Sequence, residues 1–335
     1  MKLLTVIVPT YNVEKYIINS INSILQQDFN DFVIIIVDDA STDNTVKLVN
    51  KSFTAEIKNG KILLIEQECN GGPATSRQKA LDCVTTPYVT FMDADDRYNS
   101  RDALQIMVEA IKKTDSDIVL FKYITDHGNI KLRKNVHIKN NTMNAREAFI
   151  ERVCSDNPIW HYLWNKVYKT SVIKDNNVTF QYGLRGAEDV RFNEDLFPYL
   201  KNVYFLDEYL YVYNCTNSQS LTKKKSQGHI DQRESVMSIW HRECEHYDRV
   251  IKTICVPLNC IEECESILRL NLCNILIRQI KTITDRALAD SIRTELLKTN
   301  HGKLISPIYK RALMEYEIDH LKTIIKTFVK KLIKH

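Results

Sequence analysis

The chain has 335 residues, a net charge of +4, 44% hydrophobic residues and a mean hydropathy of −0.29. These values predict a soluble protein, with enough apolar residues for one large domain or a domain plus an extension. No apolar run approaches the ~18 residues of a membrane-spanning helix. The apolar run after Met1 is short and lacks a small-residue cleavage site, so it predicts a first strand rather than a signal peptide.

The positive charge is concentrated near the end of the sequence. Residues 318–335 contain five lysines and one aspartate, so the remainder of the chain has no net charge. This distribution argues against a general nucleic-acid-binding surface and indicates one local basic element.

The nine cysteines are scattered and odd in number, without the paired C-x-x-C sets that indicate zinc. Cys260 and Cys264 lie one helical turn apart, but no matching His or Cys pair stands near them in the sequence. We therefore expect reduced, mostly buried thiols in the cytoplasm rather than a disulfide framework.

Strand and helix patterns alternate through the first half of the sequence. Apolar, β-branched runs predict buried parallel strands, and apolar residues at i, i+4 and i+7 predict helices. The predicted strands are 4–8, 32–37, 61–65, 88–92 and 117–121, and the helices between them are 17–25, 46–53, 71–84 and 104–111. This alternation predicts an α/β fold with a mostly parallel sheet flanked by helices.

The pattern changes in the second half. Residues 122–160 are irregular and polar, a helix at 189–200 precedes short strands at 203–206 and 209–213, and the sequence beyond about 230 is helical. We therefore predict an α/β domain at 1–220, divided into 1–121 and 122–220, and a helical C-terminal region at 221–335.

The sequence Asp93-Ala94-Asp95-Asp96 follows the apolar run at 88–92. Three neighbouring carboxylates repel one another, and their oxygens suit Mg²⁺ or Mn²⁺, ions that also bind phosphate. If the strand continues, Asp93 and Asp95 point to the same side and can face one metal-nucleotide. The alternative is a solvated acidic turn in which Asp96 caps the next helix.

Polar residues also follow two other predicted strands, namely Pro9-Thr10 and Asp38-Asp39. In open α/β sheets the ligand crevice lies at the carboxyl ends of the strands. The three polar clusters are therefore expected to converge on one rim, which makes a nucleotide site the favoured interpretation.

The N-terminal part of the sequence resembles family 2 glycosyltransferases, over roughly residues 1–215. The matching segments, in order, are 6–12 (VIVPTYN), 37–43 (VDDASTD), 70–72 (NGG) with Arg77, 91–96 (FMDADD), 164–168 (WNKVY), and 186–189 (GAED) with Phe192. Their order is similar to that of bacterial surface-polysaccharide enzymes. The resemblance implies a GT-A fold and a nucleotide-sugar donor.

The resemblance also implies roles for individual residues. Asp95 would bind a divalent Mn²⁺ or Mg²⁺ ion, Asp39 would contact the base, and Arg77 would approach the phosphate or sugar. The donor-binding residues implied are Pro9, Thr10, Tyr11, Asp39, Arg77, Asp93 and Ala94. The chain departs from the family pattern at Ala40, where Gly is common, and at 73–75; we expect Ala40 to be harmless.

The resemblance further implies that Asp189 is the catalytic base, with Glu188 beside it. Their mutual repulsion should raise at least one pKa and so improve basicity. One base without a covalent nucleophile indicates a single displacement with inversion. The alternative is that both carboxylates merely stabilise the N-terminus of the following helix.

An aromatic cluster precedes and includes Trp164, and Lys166 follows it. Aromatic rings stack on sugars, so Trp164 and Lys166 are candidate acceptor contacts. Core packing for the ring and a solvated surface position for the lysine are the alternatives.

Residues 318–335 form a basic amphipathic pattern, with apolar residues at helical spacing opposite the lysines. Such a helix can lie in the headgroup region of an anionic inner leaflet, or it can pack on protein. We expect a cytoplasmic protein, with peripheral membrane attachment as one possibility.

Together these features predict a metal-dependent, inverting glycosyltransferase that transfers a hexosyl or N-acetylhexosaminyl group. Its donor would be a nucleotide sugar, UDP-linked, and its acceptor a lipooligosaccharide, capsule or related surface glycan, free or lipid-linked. A sugar-1-phosphate nucleotidyltransferase is the second hypothesis, although residues 9–13 lack the glycine-rich loop of that class. A non-catalytic protein that binds sugar nucleotides or glycans is the third.

Overall fold

The computed structural model describes residues 2–128, 131–133, 138, 141–155, 157–181, 188–217, 232–281, 283 and 285–314. The chain divides into two compact units, Met1–Lys224 and Lys225–His335.

The first unit is built on a sheet whose N-terminal part is parallel. Strands β1 (Leu4–Thr10), β2 (Phe32–Asp38), β3 (Ile62–Glu66) and β4 (Tyr88–Phe91) lie in the order β3-β2-β1-β4. They are almost continuous apolar runs, as strands covered on both faces require. Because they are parallel, their carboxyl ends lie along one edge, where Thr10 of β1 is opposite Asp38 of β2.

The sheet continues beyond β4 with antiparallel and parallel pairs. Strand β9 (Lys166–Lys169) lies antiparallel between β4 and β6 (Ile118–Asp126), and β10 (Asn202–Asn214) runs parallel to β6. Short strands β5 (Arg97–Tyr98), β7 (Lys131–Arg133) and β8 (Thr142–Asn144) complete it. Two antiparallel steps restore direction, so β6 and β10 run the same way as β1. The predicted mostly parallel α/β sheet flanked by helices is confirmed.

The predicted helices of this unit begin and end close to the expected positions, whereas the helices Thr54–Lys58, Ala145–Cys154 and Thr170–Lys174 were not predicted. Helix α4 (Gly72–Asp82) packs on β1 and β2, and α5 (Ala103–Thr114) packs on β6, β9 and β10. The helices are α1 (Ile17–Leu25), α2 (Thr45–Ser52), α3 (Thr54–Lys58), α4 (Gly72–Asp82), α5 (Ala103–Thr114), α6 (Ala145–Cys154), α7 (Thr170–Lys174) and α8 (Glu188–Leu196). Helix α8 stops before the predicted residue 200, because Pro198 lies in a 3₁₀ turn, Phe197–Tyr199.

One predicted boundary is wrong in an informative way. The two strands expected at 203–206 and 209–213 are a single strand, β10, whose pairing with β6 slips between Leu206 and Tyr209. The intervening Asp207 and Glu208 are exposed, so the irregularity keeps both charges in water without ending the strand. β10 is therefore long enough to carry Asn214 to the rim of the sheet.

The second unit is helical in its described part, as predicted. It contains α9 (Gln232–Val250), a π-helical turn (Ile251–Cys255), α10 (Ile261–Lys281), α11 (Arg286–Lys298) and a further helix at 300–314. Its own apolar core includes Trp240, Leu276 and Ile292. No helix within the described residues is both long and apolar enough to span a bilayer. The basic segment 318–335 lies outside the described residues.

Candidate active site

The ends of β1 and β2 are joined by a buried hydrogen-bond network around Asp38. The Thr10 hydroxyl donates to Asp38 Oδ1 at 3.0 Å, and the Ser41 backbone N–H donates to Asp38 Oδ2 at 2.8 Å. The Thr10 side chain is buried, so its hydroxyl shapes the rim rather than facing a ligand. Any donor contact by Thr10 side-chain atoms would need this network to open.

The Asp39 carboxylate is also hydrogen-bonded within the protein. Its carboxylate accepts hydrogen bonds from the backbone N–H groups of Gly71 and Gly72, both at 2.8 Å, and from the Gln67 amide at 2.7 Å. Only 4% of Asp39 is exposed. The carboxylate satisfies N–H groups at the start of α4, and Gly72 has the positive φ of +83° that favours glycine there. The geometry therefore does not support the predicted contact between Asp39 and a nucleotide base.

Tyr11 is the exposed aromatic residue at the end of β1. Its side chain is 45% exposed, while Pro9 remains in β1 opposite Val37. The loop after Tyr11 is fixed because Asn12 Oδ1 accepts from the Thr42 N–H at 2.8 Å. A flat, exposed ring on a fixed loop is suited to stacking on a planar ligand.

The acidic motif lies in a turn. Strand β4 ends at Phe91, and the Asp96 N–H donates to the Asp93 carbonyl at 3.0 Å, with Ala94 buried inside the turn. The prediction that a continuing strand turns Asp93 and Asp95 to the same side is therefore wrong. The alternative in which Asp96 caps the next helix is also wrong, because α5 begins at Ala103, after Asp102.

Asp96 is a buried structural carboxylate. It accepts from the Tyr211 hydroxyl at 2.7 Å and from the Asn214 N–H at 2.6 Å. Burial, followed by the negative charges of Asp95 and Asp93, raises the pKa of Asp96 well above its ordinary value. Asp96 is therefore fixed by hydrogen bonds in the interior rather than facing a ligand.

Asp95 is oriented by the segment that follows β10. Its Oδ2 accepts from the Asn217 side chain at 2.8 Å, and its carbonyl accepts from the Asn214 side chain at 3.2 Å. Tyr211, Asn214 and Asn217 were missed by the sequence analysis because they belong to no quoted motif. Their signal was available, however, since Asn214 ends β10 and Asn217 follows it, at the same rim of the sheet.

Arg77 of α4 connects two separate parts of the site. Its Nη1 lies 2.7 Å from Glu188 Oε1, and its Nη2 lies 3.0 Å from Asp93 Oδ1. Burial alone would lower the pKa of Arg77, but the carboxylates of Asp93 and Glu188 outweigh it and raise the pKa. One buried guanidinium therefore holds the start of α8 against the acidic turn.

Glu188 and Asp189 form the first turn of α8. Glu188 is paired with Arg77. Among the described residues, Asp189 Oδ1 accepts one hydrogen bond, at 2.8 Å, from the backbone N–H of the adjacent Val190. Burial, followed by repulsion from Glu188, raises the pKa of Asp189. The predicted repulsion contributes, but burial is the larger cause. A raised pKa makes the Asp189 carboxylate a stronger base than an ordinary aspartate.

The two candidate acceptor contacts lie in the core. Trp164 stacks on Tyr211 with ring centroids 4.6 Å apart, and Lys166 is only 2% exposed. The Lys166 ammonium donates to the carbonyls of Ile159 and Tyr162 and to the Asn165 side chain. Burial lowers its pKa well below the ordinary value. The geometry does not support an acceptor contact for either residue, and Lys166 is not a solvated lysine either.

The acidic turn fits a divalent ion in a specific way. Within the described residues no three carboxylates approach to metal-binding distance. Burial is the main cause of the raised pKa of Asp96, and the negative charges of Asp95 and Asp93 add to it; a cation would offset those two charges. Mg²⁺ commonly uses one or two carboxylates together with phosphate oxygens and water. Asp95, held by Asn217, is suited to be such a single protein ligand.

The sequence is similar to those of known glycosyltransferases. The model of the family described as "Glycosyl transferase family 2" matches residues 5–169. The poly(ribitol-phosphate) beta-N-acetylglucosaminyltransferase TarS of Staphylococcus aureus is 32% identical over 211 residues, which is 62% of this chain and 35% of that protein. The processive diacylglycerol beta-glycosyltransferase of Mycoplasma genitalium is 29% identical over 225 residues, 62% of each chain.

Solved structures share the fold. A crystal structure of S. aureus TarS residues 1–349 in complex with UDP-GlcNAc has a TM-score of 0.65 at 22% identity, covering 95% of this chain and 92% of that one. The structural similarity thus extends past the region of sequence resemblance. In sequence, this chain spans about a third of the length of the first curated relative that it matches.

Proposed function

Because residues 5–169 make this chain a member of glycosyl transferase family 2, we propose that it transfers a sugar from a UDP-linked donor to a hydroxyl group of a bacterial surface glycan. The observation that carries the proposal is the pair of contacts made by Arg77. They bring together Asp93, which follows strand β4, and Glu188, in the first turn of α8. A donor and a base must meet in this way for a direct transfer.

The donor would lie along the rim formed by the ends of β1 and β4. The exposed ring of Tyr11 offers a stacking surface for the base. Arg77 lies at this rim through its contact with Asp93, and its buried Nε has no hydrogen-bond partner among the described residues. Asp95 would hold Mn²⁺ or Mg²⁺, which when bound neutralises charge on the diphosphate leaving group.

Asp189 would remove the proton from the acceptor hydroxyl as that oxygen attacks the anomeric carbon. A positioned base of this kind typically contributes about 10²–10⁴-fold in rate. Glu188 is already paired with Arg77, so its role would be to position α8 and the guanidinium. With one base and no covalent nucleophile, the transfer is a single displacement and inverts the anomeric configuration.

The names of the relatives narrow the first substrates to test. TarS is named as a beta-N-acetylglucosaminyltransferase of poly(ribitol-phosphate), and a Bacillus spizizenii relative as a poly(ribitol-phosphate) beta-glucosyltransferase. We therefore propose UDP-N-acetylglucosamine and UDP-glucose as first donors and hydroxyl-bearing surface polymers as acceptors. Lipooligosaccharide and capsule remain within that class. Such donors are consistent with action in the cytoplasm, which we also propose.

A donor and acceptor screen tests the proposal. The full chain is incubated with Mn²⁺, each UDP-sugar and short polyol-phosphate or glycan acceptors, and UDP release and product mass are measured. The expected result is an acceptor heavier by one sugar with equimolar UDP. Pyrophosphate release from UTP and a sugar 1-phosphate would instead identify a nucleotidyltransferase. Donor binding without transfer to any acceptor would identify a binding protein.

A further inference from the structure

Three cysteines of the second unit converge where α9 is followed by α10. Cys255 ends the π-helical turn, Cys260 directly precedes α10, and Cys264 lies one turn into it. The backbone fixes this arrangement, since the Cys260 N–H donates to the Cys255 carbonyl at 3.0 Å and the Cys264 N–H to the Cys260 carbonyl at 3.2 Å. Sequence spacing drew attention to Cys260 and Cys264, and the turn supplies the third thiol.

The three sulfurs form a compact and enclosed group. All three Sγ atoms lie within 4.8 Å of one another, each side chain is fully buried, and none forms a disulfide. In the part of the chain that the structure describes, this is the one group of three metal-ligating side chains at such spacing. It lies in the second unit, apart from the candidate active site of the first.

The spacing is close to that of a metal–thiolate centre. With metal–sulfur bonds of about 2.3 Å, three sulfurs around one ion are about 3.8–4.0 Å apart. The sulfurs therefore need to move by less than about 1 Å to share an ion. Thiolates are soft ligands that select Cu⁺ and Zn²⁺ over Mg²⁺ and Mn²⁺.

The surroundings also favour a cation over three bare thiols. Glu262 and Glu263 are in the first turn of α10 and add negative charge beside Cys264. Each coordinating thiol would release its proton to solvent as the ion enters, without a redox step.

We propose that Cys255, Cys260 and Cys264 form a three-thiolate site for a soft metal ion, Cu⁺ or Zn²⁺, that fastens the start of α10 to the turn before it. Full burial leaves little room for a water ligand, which favours three-coordinate Cu⁺. Zn²⁺ would need a fourth ligand from the protein or solvent. π-helical turns occur frequently at functional sites, and here one presents Cys255.

The test uses the full chain with its exposed thiols removed. Cys69, Cys83 and Cys154 are exposed and are replaced by serine, so that binding at surface thiols does not contribute. This background protein, reduced with a phosphine, is titrated separately with Cu⁺ against a chromophoric copper chelator and with Zn²⁺ against a zinc chelator. The same titrations are made after adding Cys255→Ala, and after adding Cys273→Ala, a buried thiol of α10 outside the cluster.

We expect one equivalent of metal per chain in the background protein and in its Cys273→Ala variant. Loss of even an outer-shell partner weakens a metal site by about 10–100-fold, so Cys255→Ala should weaken it by more than about 100-fold. Equal binding by Cys255→Ala, or no stoichiometric binding at all, would overturn the proposal. If Cys255→Ala fails to fold, X-ray absorption of the loaded background protein decides. Three sulfur neighbours at about 2.2–2.3 Å support the site, and only nitrogen or oxygen neighbours refute it.

Discussion

Arg77 Nη1 donates to Glu188 Oε1 at 2.7 Å across 111 residues of sequence. Both side chains are nearly buried, at 9% and 11% exposure. Charges are retained in such a place when they are paired, and here the same guanidinium also contacts Asp93. The proposed donor site and the helix bearing the proposed base are therefore mechanically coupled.

Replacing Arg77 should destabilise the fold and lower the activity. Arg77→Gln leaves Glu188 buried without its partner, and removal of one member of a buried pair costs about 3–5 kcal/mol. Asp93 is 33% exposed and is partly rescued by water, so we expect the lower end of that range. The free energy of unfolding in urea measures the loss. In the double variant Arg77→Gln/Glu188→Gln the loss should be smaller than the sum of the single losses; strict additivity would mean that the pair is not coupled.

Asp189→Asn should abolish transfer and leave donor binding nearly unchanged. The amide keeps the shape of the side chain but cannot accept a proton, so the rate should fall by about 10²–10⁴-fold. Initial rates and calorimetric binding of the UDP-sugar measure the two effects. Asp195→Asn is the matched control on the same helix, where Asp195 pairs with Arg191, and it should keep its activity. Turnover retained by Asp189→Asn would remove Asp189 from the mechanism.

The pH profile of transfer should reflect the raised pKa of Asp189. A base must be deprotonated to act, so activity is present above this pKa and is lost as the pH falls through it. Because burial raises the pKa, the acidic limb of kcat should lie at higher pH than for an ordinary aspartate. Rates measured from pH 3 to 8 at constant ionic strength check this. An acidic limb at or below about 3.9, the ordinary value, would contradict the proposed environment.

Asn217→Ala should lower the affinity for the metal ion more than it lowers the stability of the fold. The Asn217 amide orients Asp95, and loss of a partner of this kind typically weakens metal affinity by about 10–100-fold. The Mn²⁺ concentration for half-maximal rate should therefore rise, while thermal unfolding without metal changes little. Asn202→Ala is the control, because Asn202 is exposed at the opposite end of β10. An unchanged Mn²⁺ requirement would separate Asn217 from the metal site.

Ala40→Gly should stabilise the first unit, contrary to the expectation that this departure from the family pattern is harmless. Ala40 has φ of +58°, a left-handed conformation that costs a non-glycine residue about 1–2 kcal/mol. Part of the gain is offset by the greater freedom of glycine in the unfolded chain, so we expect about 0.5–1 kcal/mol. Ala110→Gly in the middle of α5 is the control and should destabilise by a similar amount. Destabilisation by Ala40→Gly would show that the strain is absent in solution.

Lys166→Met should reduce stability without changing donor affinity. Three oxygen acceptors around the ammonium would lose their donor, and each unsatisfied buried group costs about 1–3 kcal/mol. The gain from an apolar side chain offsets part of this, so we expect a net loss of a few kcal/mol. Urea unfolding and UDP-sugar calorimetry measure the two effects. Weakened donor binding in a fully folded variant would show that Lys166 contacts the donor.

Local sequence was sufficient for strands β1 to β4 and β6 of the first unit. A continuous apolar run such as that of Phe32–Asp38 forms a strand buried on both faces. Apolar residues at helical spacing, as in Ala103–Thr114, form a helix that buries one face. The rule that ligands gather at the carboxyl ends of parallel strands brought the right polar clusters together. The sequence could not place β9, because its antiparallel insertion between β4 and β6 depends on pairing between distant segments.

The amino-acid sequence by itself determined the family, the α/β sheet and the rim along which its carboxylates lie, because those follow from periodicity and short motifs. Only the tertiary structure decided how each carboxylate is used: Asp39 caps α4, Asp96 is bound by Tyr211, and Glu188 is paired with Arg77. Likewise, only the packing around Lys166 turned a residue expected at the surface into a buried donor. The physical reason is that a side chain's charge state and accessibility depend on partners that lie far away along the chain.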